Sequence, residues 1–145
     1  MIILDTNVLS EVIKPQPEQV VFDWLASQKY DEVYTTAVTE AEMLHGLYRL
    51  PDGKRKTQLR QALAAIFQQD FAGRVLPFDE AAALSYAEVV TARERAGRGV
   101  GSFDCQIAAI ARVHSAIVAT RNIKDFELTG VSLVNPWGNR AAMLS

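Results

Sequence analysis

The sequence predicts an α/β fold in which a parallel sheet of about five strands carries helices on both faces. Three observations predict it. Short apolar and β-branched runs alternate with longer segments of helical periodicity, the pattern of repeated strand–helix units. The first run, residues 1–4, is apolar without alternation, as expected of a strand buried on both faces. No repeat, low-complexity tract or linker interrupts the 145 residues, so one domain over residues 1–145 is expected.

The elements follow in order. Residues 6–13 read as a short helix stopped by Pro15 and Pro17, because proline lacks the amide that would continue it. Residues 18–27 place Val20, Val21, Trp24 and Leu25 at helical spacing. The β-branched and aromatic run 33–36 suits a second strand. An amphipathic helix over 38–50 ends at the turn signal Pro51-Asp52-Gly53. Residues 54–70 form the next helix, with Leu59, Leu63, Ile66 and Phe67 on one side, and 73–78 a third strand bounded by Pro77. A helix over 79–96, a loop with three glycines over 97–101 and a helix over 102–114 precede strands at 116–119 and 131–134.

Composition narrows the function classes. Hydrophobic residues make up 49% and charged residues 22% of the chain, a globular balance rather than a disordered one. A net charge of −2 argues against a general nucleic-acid coat protein and leaves room for a local basic strip. Cys105 is alone, which excludes an internal disulfide and suits a reducing compartment. No apolar run approaches the roughly 20 residues that span a bilayer. With no basic, secretory-type start, a cytoplasmic protein without membrane contact is expected.

Three acids then stand out, each where an apolar run gives way to a helix. Asp5 follows the first strand, Glu42 lies in the helical stretch after the second, and Asp104 follows Gly101-Ser102-Phe103. Each has an ordinary explanation. Asp5 suits a helix N-cap, Thr39 to Glu42 fits a T-x-x-E capping box, and Asp104 suits the positive end of a helix dipole. Together, two carboxylates about 4 Å apart repel by roughly 4 kcal/mol at an effective dielectric near 20, and a divalent cation would relieve that repulsion. In parallel sheets, sites form beyond the carboxyl ends of the strands, where Asp5 and Glu42 are expected.

The ordered segments 1–10, 38–46, 104–109 and 119–126 together resemble PIN-domain ribonucleases of the VapC toxin family. Leu76-Pro77-Phe78-Asp79 and Asn135-Pro136-Trp137 are similar to the subgroup typified by the FitB toxin. The resemblance spans almost the whole chain. It implies a three-layer α/β/α fold and a Mg²⁺- or Mn²⁺-dependent endoribonuclease whose metal-binding and catalytic acids are Asp5, Glu42 and Asp104. Many family members place a fourth acid directly after the Thr-Arg pair, where this chain has Asn122. Asp125 is the nearest carboxylate that could compensate, and Asn122 could position water or ligand through its amide.

Hard carboxylate oxygens suit Mg²⁺ or Mn²⁺, and such an ion activates water for attack on a phosphodiester. Thr6, Asn7, Thr120, Arg121 and Asn122 are candidates for holding substrate or water, although small polar residues at helix edges commonly serve as caps. Basic residues form three groups: Arg121 with Lys124; Arg93, Arg95 and Arg98; and Lys54, Arg55, Lys56 and Arg60. Each suits a solvated helix face or phosphate steering of single-stranded or loop RNA. Exposed apolar side chains such as Phe22, Trp24, Leu47 and Leu63 suit either partner contact or core packing.

Competing chemistries fit less well. Glu42-x-x-His45 is half of a di-iron pattern, and His114 lacks a glutamate three residues before it. Cys105 as a nucleophile sits among small apolar residues. A haloacid-dehalogenase phosphatase wants an acid at Asn7, and receiver domains open with adjacent acids. The alternative function is a non-catalytic PIN-like domain that binds a partner protein or nucleic acid. By resemblance, the partners are an RNA substrate, a cognate antitoxin protein and a second copy in a homodimer.

Overall fold

The computed structural model describes residues 1–138 and 143–144. Its strands are β1 (Ile2–Leu4), β2 (Val33–Thr36), β3 (Val75–Leu76), β4 (Ile117–Ala119), β5 (Ser132–Val134) and β6 (Met143–Leu144). The helices are α1 (Thr6–Val12), α2 (Gln19–Ala26), α3 (Ala37–Tyr48), α4 (Lys54–Ala65), α5 (Glu80–Arg95), α6 (Ser102–Val113) and α7 (Ile123–Phe126). They build one sheet in the order β3-β2-β1-β4-β5-β6. The first five strands pair in parallel, as expected, and β6 adds an antiparallel edge.

Strand periodicity divides the core into two layers. Side chains of successive strand residues point to opposite faces. Ile3, Val118 and Leu133 therefore pack with Val89 of α5 and Ile107 and Ile110 of α6. Leu4, Ala119 and Val134 pack on the other side with Val8, Val21, Met43 and Leu63, from α1 to α4. The result is a helix–sheet–helix sandwich. Leu47 and Leu63 are core residues at 2% and 1% exposure, whereas Phe22 is half-exposed.

Several boundaries differ from the sequence reading. The helix expected over 54–70 ends as α4 at Ala65 and continues as a π turn, Ile66–Asp70. Arg74 explains the geometry around it: its guanidinium stacks over the rings of Tyr30 and Phe71 and donates to the carbonyls of Val33 and Asp70. The strand expected over 73–78 shrinks to Val75–Leu76. Gly73 adopts φ +76° there, a turn conformation that favours glycine. The short helix α7 and the edge strand β6 have no counterpart in the periodicity, because four- and two-residue elements are too short to show a period.

The topology fixes where chemistry can sit. β1 lies between β2 and β4, so the chain order reverses across the β1–β4 pair, and clefts open at such switch points. Asp5 N–H donates to the Ala119 carbonyl at 3.1 Å, extending that pair to the carboxyl edge. No helix among the described residues is long and apolar enough to cross a membrane.

Candidate functional site

Asp5 occupies the carboxyl end of β1 and is 2% exposed. Its Oδ1 accepts the Val8 amide at 3.0 Å, so it caps α1. Burial raises its pKa most, and the neighbouring Asp104 charge adds to the rise. Bonds from the Thr120 hydroxyl and the amides of Val8 and Asn7 oppose it, leaving a value of about 6. A cap on an exposed helix would keep an ordinary carboxylate. Asp5 is instead held dry beside a like charge.

Glu42 is not part of a capping box. α3 starts before Thr39, at Ala37, and its cap is Thr36, whose hydroxyl oxygen accepts the Thr39 amide at 3.1 Å. Glu42 lies in the second turn, and its Oε1 accepts from the Thr6 hydroxyl at 2.7 Å. Thr6 Oγ1 also lies 3.3 Å from Thr39 Oγ1, and Thr39 is fully buried. Thr39 thus supports the site from behind, a role the capping-box reading concealed. The signal was Thr35-Thr36 before the helix, the better position for a cap.

Asp104 stands in the first turn of α6, whose cap is Gly101 rather than Ser102. A crossover helix runs back against the parallel strands, which brings its N-terminus to the sheet's carboxyl edge. Burial raises the Asp104 pKa most, and the charges of Asp125 and Glu42 raise it further. Arg93 opposes them, and the result is about 6. Asp104 is therefore the hub: Asp5, Glu42 and Asp125 all lie within its electrostatic reach.

The other candidates divide. Thr120 is fully buried; its hydroxyl bonds Asp5 and its oxygen accepts the Asn122 amide at 3.0 Å. Asn7, Asn122 and Asp125 are exposed around this centre. The Arg121 guanidinium lies 4.9 Å from the centre of the Trp137 ring, and its charge acts on Glu11. Arg93 corrects the basic-group reading. It is 4% exposed and donates to the carbonyls of Gly99, Lys124 and Glu127, while Arg98 pairs with Glu127. Arg93 is a buried clamp rather than a phosphate contact.

The chemical alternatives lose ground. Cys105 is fully buried and burial pushes its thiol pKa up, the opposite of an activated nucleophile. His45 is exposed on α3. Among the described residues, no three His, Cys, Asp or Glu side chains are close enough together as they stand to hold a metal ion. Asp5, Glu42 and Asp125 are linked to Asp104 by their charges rather than by contact.

Two clefts open among the described residues, and one of them reaches this region. An apolar one of about 600 Å³, lined by Leu9, Phe22, Leu25, Ile66 and Phe71, contains none of the four acids. A smaller one of about 340 Å³ is lined by Thr6 and Glu42. The smaller cleft is the one that meets the chemistry.

A family model described as PIN domain matches residues 2–130. VapC ribonuclease Y4jK of Sinorhizobium fredii is 42% identical over 137 residues, covering 94% of this chain and 98% of that protein. Toxin FitB of Neisseria gonorrhoeae is also 42% identical, covering 94% and 99%. The solved structure of FitAB bound to an IR36 DNA fragment superposes with a TM-score of 0.90 at 41% identity, covering 97% of this chain and 98% of that one.

Proposed function

Because this chain belongs to the PIN domain family, we propose that it is a metal-dependent endoribonuclease and the toxin of a toxin–antitoxin pair. The observation that carries the reading is the joint rise of Asp5 and Asp104 to about 6. A buried carboxyl, Asp5, and a half-buried one, Asp104, stand at one sheet edge with two more acids in reach, an arrangement that has a use for a cation and is costly without one. The alternative of a purely binding domain leaves that cost unexplained, and the relatives named above are called a ribonuclease and a toxin.

Asp5, Glu42 and Asp104 would hold the ion, with Asp125 as a fourth carboxylate within electrostatic reach of Asp104. Their oxygen-only chemistry fits Mg²⁺ or Mn²⁺. When bound, the ion supplies a polarised water and neutralises charge on the phosphodiester. The chain's own residues do the positioning. The Thr6 hydroxyl orients Glu42, and the Thr120 hydroxyl with the Val8 amide orients Asp5. Asn122, exposed beside Thr120, offers an amide for substrate or water in place of a fourth acid. Both Asp5 and Asp104 must give up protons to bind the ion, so protons compete with the metal and weaken its binding as pH falls below about 6.

The RNA substrate, an inhibitory antitoxin, a homodimer and a cytoplasmic site of action complete the proposal. A solved relative at 27% identity, VapBC-5 of Mycobacterium tuberculosis, is described as a member of a family of toxin–antitoxin systems, which supports the antitoxin. The test is RNA cleavage by the purified chain with MnCl₂ or MgCl₂, and with EDTA. Cleavage that EDTA abolishes and Asp104→Asn abolishes is expected. Metal-independent cleavage, or full activity in Asp104→Asn, overturns the assignment.

A further inference from the structure

The 340 Å³ cleft beside Glu42 extends to parts of the chain that the acidic centre does not use. Its walls include Thr6 and Glu42, then Gly46 one helical turn further along α3, and Arg55 in the first turn of α4, with Met43 and Leu59 supplying apolar surface. The cleft therefore joins an acidic end to a guanidinium.

Gly46 is the first unexplained residue. It lies inside α3, where glycine is markedly less stable than alanine. Its backbone does not require glycine, since it has no positive φ, and a Cβ built on it meets nothing within 4 Å. Neither conformation nor packing within the chain excludes a side chain. A bare backbone on this wall lets a ligand approach the helix closely.

Arg55 is the second. It takes part in none of the ion pairs among the described residues, whereas its neighbour Lys56 pairs with Asp52. The turn that carries it has three basic residues and no acid, and its cap, Gly53, offers no side-chain acceptor. Positive charges at a helix N-terminus oppose the dipole unless an anion joins them.

We propose that this cleft seats the nucleotide next to the scissile phosphate of a single-stranded RNA. Arg55 pairs with that nucleotide's outer phosphate, and its sugar and base lie against Gly46 and Met43. The inference rests on the ribonuclease reading above. Continuity with the acidic centre favours RNA over a protein segment. A strand whose scissile phosphate lies at the acids runs on into the adjoining cleft, where Arg55 offers a positive charge to the next phosphate.

The experiment measures cleavage of a labelled, randomised single-stranded RNA pool by the full chain with Mn²⁺, between about 50 and 200 mM salt. Arg55→Ala is expected to raise KM about tenfold and leave kcat within about twofold, the mark of lost binding rather than lost chemistry. It should also flatten the slope of log KM against log salt by about 0.7, one single-strand phosphate contact. Arg55→Lys keeps the charge and should keep the slope. Gly46→Leu is expected to melt higher than wild type, showing that it folds, while its KM rises about tenfold. Wild-type KM and slope in both Arg55→Ala and Gly46→Leu overturn the cleft assignment and leave the ribonuclease reading intact. Unchanged cleavage with weakened inhibition by the antitoxin assigns the cleft to a protein segment and also overturns it. A wild-type chain that cleaves no RNA ends both readings.

Discussion

The hydroxyl of Thr6 donates to Oε1 of Glu42 across 2.7 Å, linking the first residue of α1 to the second turn of α3. The two residues are 36 positions apart, and their bond is what aims the Glu42 carboxylate into the site. A hydrogen bond to a charged group is worth about 1.5–3 kcal/mol. Thr6→Val keeps the shape and removes the donor, so metal-dependent cleavage should fall by about tenfold or more. Thr6→Ser should retain most of it. Equal activity in wild type and Thr6→Val, at matched metal concentration, would show that Glu42 needs no such support.

Asp5 serves two tasks that one substitution separates. Asparagine caps helices about as well as aspartate, so Asp5→Asn keeps the bond to the Val8 amide while losing the charge. Its thermal unfolding should match or exceed that of wild type, because a buried charge is gone. Its calorimetric Mn²⁺ signal should disappear. Equal Mn²⁺ binding by the two proteins contradicts the role given to Asp5.

Stability should depend on pH in an unusual direction. Folding raises the Asp5 pKa from 3.8 to about 6, so the fold favours the neutral carboxyl. That contribution is fully present below about pH 4 and is lost as pH rises through 6, about 3 kcal/mol in all. In EDTA, the urea midpoint should therefore be lower at pH 7 than at pH 5. Mn²⁺ should restore it at pH 7, since the ion binds the ionised form. Asp5→Asn should shrink the difference to the part that Asp104, also raised to about 6, contributes. A wild-type midpoint in EDTA that rises from pH 5 to 7, by an amount Asp5→Asn does not change, refutes the account.

Arg93 should behave as a structural residue. Its buried guanidinium satisfies three carbonyls, from Gly99, Lys124 and Glu127. Arg93→Met leaves those acceptors without their donor and should cost about 3 kcal/mol or more. Chemical denaturation measures this directly. The same change removes the positive charge that restrains Asp104, so the pH at which cleavage begins should rise. A surface arginine would show neither effect.

The parts of this architecture that were legible in the sequence are those set by short-range rules. Residues 1–4 and 33–36 announced strands by composition, and Asp5 was marked by its place at the end of the first. Glu42 carried a misleading ordinary explanation, because a T-x-x-E spacing matches a capping box whether or not the helix starts there. Only the register of α3 on β2 shows that Thr36 is the cap. Asp104 depended on tertiary geometry: it arrives because α6 runs opposite to the strands. Arg93 and Arg98 looked alike in a run of basic residues, yet one is buried and the other half-exposed, a difference decided by the loop that folds over α5.

The dependence of Asp5 on β4 also sets when, during synthesis, this protein becomes dangerous. Asp5 leaves the ribosome almost first, but the carbonyl and hydroxyl that hold it belong to Ala119 and Thr120. A growing chain cannot complete this acidic pocket until the fourth strand and Thr120 have emerged and docked, so the N-terminal half alone holds Asp5 without its partners.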